Sequence, residues 1–179
     1  ILSMQAMTTI IKPAATVILM RDAEEGGFEI LMVKRSSRSA FGSIYVFPGG
    51  KLDPEDYSHT LYSYCKEMTD SEASRKLGIK KDGLAYWIAC IRECFEEVGV
   101  LLTGSNDSII HDAHKLNALR NKLNNKKITF NDICISTVRI VHFFVCRITY
   151  NACRQIFYSL CLFRFGANVH SFGGVYTIR

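Results

Sequence analysis

Arg92-Glu93-Cys94-Phe95-Glu96-Glu97-Val98-Gly99-Val100 is the stretch on which the reading of this chain turns. Glu93, Glu96 and Glu97 stand at i, i+3 and i+4, so on an α-helix they are neighbours on one face. Like charges at that spacing repel by roughly 0.2–0.5 kcal/mol per pair even in water. A surface helix with only a structural role usually alternates signs there, and here Arg92 offers a nearby positive partner. A hard divalent cation resolves the repulsion, because magnesium takes oxygen ligands in an octahedral shell and keeps waters for phosphate oxygens. The cluster also sits near a helix C-terminus, where the dipole disfavours anions and favours a bound cation. Such a glutamate pattern is by itself most often a solvated face, so the surrounding sequence decides.

Working outward, Asp82 or Gly83 starts the helix and Val98 ends it. Leu84, Trp87, Ile88, Ile91, Phe95 and Val98 form its apolar stripe, and Gly99 suits the left-handed position that commonly closes a helix. Upstream, Thr16-Val17-Ile18-Leu19-Met20 reads as a buried strand and Phe28 to Lys34 as its hairpin partner across Glu24-Glu25-Gly26-Gly27. Ile44-Tyr45-Val46-Phe47 reads as a third strand, stopped by Pro48-Gly49-Gly50. Residues 57–82 read as an insertion of two short helices, with Leu61, Tyr64, Cys65 and Met68 at helical spacing and a cap at Ser71-Glu72-Ala73-Ser74. Downstream, Val100-Leu101-Leu102 is a short strand and His111 to Asn124 a helix carrying Leu116, Leu119 and Leu123. Thr129-Phe130-Asn131-Asp132 caps a final helical turn. From about Thr137 the only regularity is apolar runs of strand length, without the alternation and turn signals expected of later strands.

The nine residues 92–100 match the second half of the Nudix box, R-E-hydrophobic-x-E-E-x-G-hydrophobic, at every defined position. Phe47-Pro48-Gly49-Gly50 resembles the family's glycine turn ahead of that helix. Asp56 stands where the box carries its first Glu, and the usual seven-residue spacer before the arginine is here 35 residues, 57–91. A long insertion inside the box, with F-P-G-G before it, looks like the nucleoside diphosphate-linked moiety X motif 19 branch, whose members hydrolyse coenzyme A and acyl-coenzyme A. The Asp at that place also looks like the coenzyme A diphosphatases, and Leu31-Met32-Val33-Lys34-Arg35-Ser36 is partly similar to their substrate signature, with Gly42 one residue too far from Phe47.

The resemblance implies an α/β chain with the Nudix α/β/α sandwich and a mixed sheet, its box interrupted by the helical insertion. Residues 1–12 would be an N-terminal extension, 13–135 the Nudix domain and 136–179 an atypical hydrophobic, basic tail that leaves open whether the sandwich is complete. It implies Glu93, Glu96, Glu97 and the Gly50 carbonyl as ligands of Mg2+ or Mn2+. Glu93 or Glu97 would polarise the attacking water, and Arg92 would hold the carboxylates by charge-assisted hydrogen bonds. Arg35 and Gly49 are the substrate-binding candidates, with Arg38 outside them. Asp56 is read as a helper near the turn or a cap of the insertion. The reaction implied is attack of an activated water on one phosphorus of a diphosphate, giving 3',5'-ADP and (acyl-)phosphopantetheine from a coenzyme A-like substrate. Nucleotide sugars, ADP-ribose or capped RNA stay open as substrates, as does a truncated Nudix-like domain without turnover. A later acidic ligand, common in the family, would have to be Asp107, Asp112 or Asp132.

Composition sets the outer bounds. A chain of 179 residues, 48% hydrophobic, fits one packed domain, and no run approaches the ~20 apolar residues that span a bilayer. Residues 1–132 hold 17 basic and 17 acidic residues; all of the +5 net charge comes from five arginines in 133–179, a segment without Asp, Glu, Lys or Pro. Those arginines are scattered among Phe, Ile and Cys, so a nucleic-acid partner is not expected. Seven cysteines with no CxxC pair fit a reducing, intracellular compartment better than a zinc site or a disulfide scaffold. The resemblance implies peroxisome or mitochondrion, although Thr177-Ile178-Arg179 is not a peroxisomal tripeptide. The five histidines, Cys94, Trp87, Phe95 and the Lys126-Lys127 pair are read as ordinary core or surface residues.

Overall fold

A computed structural model describes residues 12–22, 27–34, 44–65, 68–102, 112–137, 158–165 and 176–178. Strand β1, Ala14–Asp22, is the centre of the sheet. Along it Ala15, Val17 and Leu19 are buried while Thr16, Ile18 and Met20 are half-buried. That is the period-two alternation of a strand with its tighter face on a core. Strand β2, Phe28–Lys34, runs antiparallel to the far end of β1, with Met20 opposite Ile30. Strand β3, Tyr45–Val46, pairs with the end of β2.

Strand β3 ends before Pro48-Gly49-Gly50, the stop its sequence predicts. The two glycines are more than a turn, however: Gly49–Lys51 forms a further short strand, β4, antiparallel to the near end of β1, with Ala15 opposite Gly50. Glycine has little strand preference of its own; the free edge of β1 imposes the conformation. A second difference lies in the tail. Strand β5, Tyr158–Phe165, lies parallel to β1 from Ala14 to Arg21, and β6, Tyr176–Ile178, lies antiparallel to β2. Two of the apolar runs after Thr137 thus enter the sheet as its later strands, and the parallel pairing of β5 with β1 makes the sheet mixed. The missing turn signals hid them.

After a short 3-10 turn at Pro54–Tyr57, the insertion forms α1, His59–Ser63, and α2, Asp70–Leu77. Helix α1 is shorter than its apolar spacing suggested: Tyr64, Cys65 and Met68 lie beyond its end. Thr69, rather than the serines after it, caps α2, sharing a reciprocal capping box with Glu72. Helix α3, Gly83–Val98, follows, and its stripe of Leu84, Trp87, Ile88, Ile91 and Phe95 is buried with Cys90 and Cys94 against β1. Helices α4, Ala113–Asn124, and α5, Phe130–Thr137, complete the described helices. Thr129 and Asp132 cap α5 through each other's backbone N–H. Val100-Leu101-Leu102 is not a strand; Leu101 and Leu102 are buried, but the segment joins no ladder. Short apolar runs do not by themselves separate strand from buried loop. Among the described residues no helix is long and apolar enough to cross a membrane.

Candidate active site

Helix α3 packs its apolar face on β1, which leaves the glutamates of its last two turns beside the β4 turn. Arg92, only 3% exposed, is the hub. Its Nε and Nη2 each donate to the Asp56 carboxylate at 2.9 Å, a two-pronged pair between buried side chains. Nη2 also donates to the Lys51 carbonyl at 3.0 Å. Nη1 turns the other way, donating to Glu93 at 3.0 Å and Glu96 at 3.3 Å, with Asp53 at 3.8 Å. One rigid guanidinium therefore ties the turn after β4 to two of the three helix carboxylates.

The third, Glu97, accepts a hydrogen bond from the Gly49 backbone N–H at 3.1 Å. Gly50 lies against the Glu93 carboxylate so closely that a methyl group there would collide with it. The glycine pair thus brings backbone to the glutamates without a side chain between them.

Electrostatics follow from this packing. Burial pushes the Glu93 carboxyl up to about 7; Arg92 opposes the shift, while Glu96 and Glu97 add to it. Burial also raises Asp56, against the pull of Arg92. For Arg92 burial works to lower the value, yet the hydrogen bonds and charge of Asp56, then the charges of Glu93 and Glu96, hold it above the ordinary arginine range. The guanidinium stays charged, and among the described residues four carboxylates, those of Asp53, Asp56, Glu93 and Glu96, lie around it.

This set suits a hard dication in its chemistry: carboxylate oxygens on one helix face, partly buried, with a backbone approach at Gly50. The side chains do not yet enclose one point. Among the described residues no three His, Cys, Asp or Glu side chains are gathered as a cation cage, because Glu93 and Glu96 are drawn to Arg92 and Glu97 to Gly49. Each of these bonds engages one oxygen of its carboxylate, Oε1 of Glu93 and of Glu96 and Oε2 of Glu97.

Of the residues singled out from sequence, Arg92, Glu93, Glu96, Glu97, Gly49 and Gly50 come together here. Arg35 and Arg38 lie outside the described residues, as does Asp107. Asp112 and Asp132 are elsewhere: Asp112 accepts from the His114 and Lys115 N–H groups as the cap of α4, and Asp132 caps α5. Asp56 plays a larger part than the helper or cap read from sequence. It accepts from the Asp53 N–H at 2.8 Å, as a cap would, and is also the buried partner of Arg92. Its box position was the signal, obscured by the 57–91 spacer. Arg120 and Asn124, which reach the end of α3 from α4, carry no sequence signal at all.

A family model described as NUDIX domain matches residues 11–151. A crystal structure of a NUDIX hydrolase from Alicyclobacillus acidocaldarius is similar at 21% identity and a TM-score of 0.49, over 89% of this chain and 71% of that one. No curated protein matches the chain.

Proposed function

This chain belongs to the Nudix family, as a hydrolase of diphosphate linkages, and we propose that it cleaves coenzyme A or an acyl-coenzyme A to 3',5'-ADP and (acyl-)phosphopantetheine. Nudix hydrolases generally need divalent metals; in our reading Glu93, Glu96, Glu97 and the Gly50 carbonyl hold Mg2+ or Mn2+. The observation that carries the reading is the convergence of Glu93 and Glu96 on Arg92 Nη1, with Glu97 on the same turn against Gly49. When bound, the cation neutralises phosphoryl oxygens and lowers the pKa of the attacking water.

The chain's own residues position and move protons. Asp56 holds Arg92, and Arg92 holds Glu93 and Glu96 for ligation. An oxygen of Glu93 or Glu97, the carboxylates that the family resemblance places beside the attacking water, takes the water's proton. The water oxygen then bonds to one phosphorus while the bridging P–O bond breaks, its electrons leaving with the departing phosphate. Position and electrostatics do most of this work. Arg35 and Gly49 would meet the substrate phosphates. The substrate assignment is supported by the residues resembling the coenzyme A branch: Phe47 to Gly50, Leu31 to Ser36, Asp56 and the long insertion. A peroxisomal or mitochondrial location follows from the same resemblance.

A substrate panel with Mg2+ or Mn2+ tests the proposal. Coenzyme A and an acyl-coenzyme A are expected to release 3',5'-ADP faster than ADP-ribose, a nucleotide sugar or capped RNA releases its product. Preferential cleavage of any of the latter would overturn the substrate; no cleavage of any would overturn the enzymatic reading.

A further inference from the structure

The last turn of α3 carries the candidate ligands, and its backbone is held from outside the helix. A helix end leaves its final four carbonyls without partners inside the helix. Here the Phe95 carbonyl accepts from the Gly99 N–H at 2.9 Å, Gly99 being left-handed at φ +75°. The next two carbonyls belong to Glu96 and Glu97, whose side chains face the β4 turn. Both are taken by one residue of α4: Arg120 Nε donates to the Glu96 carbonyl at 2.9 Å and its Nη2 to the Glu97 carbonyl at 2.6 Å. Asn124, one helical turn on, adds a bond to the Glu96 carbonyl at 3.3 Å. The Arg120 side chain runs alongside Gly99, at the distance where a methyl on that glycine would just touch it.

Helix ends fray, and a frayed last turn would lose the i, i+3, i+4 register that sets the three carboxylates side by side. A guanidinium fork spanning two consecutive carbonyls opposes this, and its charge is favourable at the negative end of the helix. We propose that Arg120 is a positioning residue of the metal site: by clamping the carbonyls of Glu96 and Glu97 it holds their side chains ready for a divalent cation. The proposal rests on the metal assignment made above for Glu93, Glu96 and Glu97. It adds a residue 23 positions past Glu97 that holds the backbone of the ligand residues rather than their carboxylates. Residues that orient ligands in this way typically contribute 10–100-fold to metal affinity.

Mn2+ affinity of the full chain, read from the electron paramagnetic resonance of the free ion with no substrate present, separates positioning from plain stabilisation. Arg120→Ala is compared with Leu123→Ala, which removes a buried α4 side chain without touching the carbonyls. Arg120→Ala is expected to weaken Mn2+ binding about tenfold or more, Arg120→Lys to fall between it and wild type, and Leu123→Ala to bind as wild type while melting lower. Should Arg120→Ala fail to fold, Arg120→Lys, which keeps the charge and loses the fork, carries the comparison. If the Arg120 variants bind Mn2+ no more weakly than Leu123→Ala, while Glu96→Gln abolishes binding, the clamp is overturned and the metal site stands. If Glu96→Gln and Glu97→Gln leave Mn2+ affinity unchanged, the site assignment itself falls, and the clamp with it.

Discussion

Arg92 has its charge answered on both sides, by Asp56 toward the interior and by Glu93 and Glu96 toward the helix face. Glu96 and Glu97 are the more exposed of the three glutamates, so substituting them should change chemistry more than stability. Glu96→Gln and Glu97→Gln are each expected to lower turnover about 100-fold or more, as removal of a main electrostatic group does. Steady-state rates in Mg2+ on the substrate the panel selects would check this, and wild-type rates in both variants would contradict the assignment. Glu93 predicts a pH dependence. Its folded value of about 7 lies above its ordinary 4.5, so the folded, metal-free chain holds that proton more tightly than the unfolded one. The stability it contributes is full below about 4.5 and declines as pH rises through about 7. Melting curves without metal should show that decline, and Glu93→Gln should flatten it. Mn2+ affinity should run the other way and rise across the same window, because the ligand must shed its proton.

At the scale of elements, α3 is held at both ends by its neighbours. Asp70, the first residue of α2, accepts from the Asp82 and Leu84 N–H groups at 2.9 Å each, and Ser74 Oγ accepts from the Gly83 N–H. The insertion therefore caps the start of the helix whose end carries the chemistry. Asp70→Ala is expected to destabilise the fold by about 1 kcal/mol, the usual worth of an N-cap, measured by urea unfolding; an unchanged midpoint would show that the insertion docks by other means. Helix α3 was legible from its residues because everything that defines it is local: a 3.6-residue apolar period, three glutamates on one face, a closing glycine. The partners of that face were not. Asp56 meets Arg92 across 36 positions, and Arg120 meets Glu96 across 24. Strand β4 was illegible for a different reason, since Gly49 and Gly50 take extended geometry from the β1 edge rather than from their own preference.

For the whole molecule, the balance of charge and the tail are linked. Residues 133–179 hold every excess positive charge, yet β5 within them runs along β1 for the eight positions from Ala14 to Arg21. From composition that segment looked like an appendage, because arginines break its apolar runs and no alternation marks a solvent face. Pairing with the central strand makes it part of the sheet that supports α3. A chain ending at residue 157 would leave that edge of β1 unpaired, a template for association with other chains. It is expected to aggregate or to lose its cooperative unfolding transition, monitored by size-exclusion chromatography and circular dichroism. A monomeric truncation that melts like the full chain would show that β5 contributes nothing to the fold. All of this bears on whether the Nudix helix presents its glutamates to a cation at all. Crystals grown with Mn2+ and measured at the manganese absorption edge test that most directly. The predicted result is an anomalous peak at ligand distance, about 2.0–2.3 Å as for small oxygen-bound dications, from carboxylate oxygens of Glu93, Glu96 and Glu97 and from the Gly50 carbonyl. A map with manganese bound elsewhere, or with no peak beside α3, would contradict it.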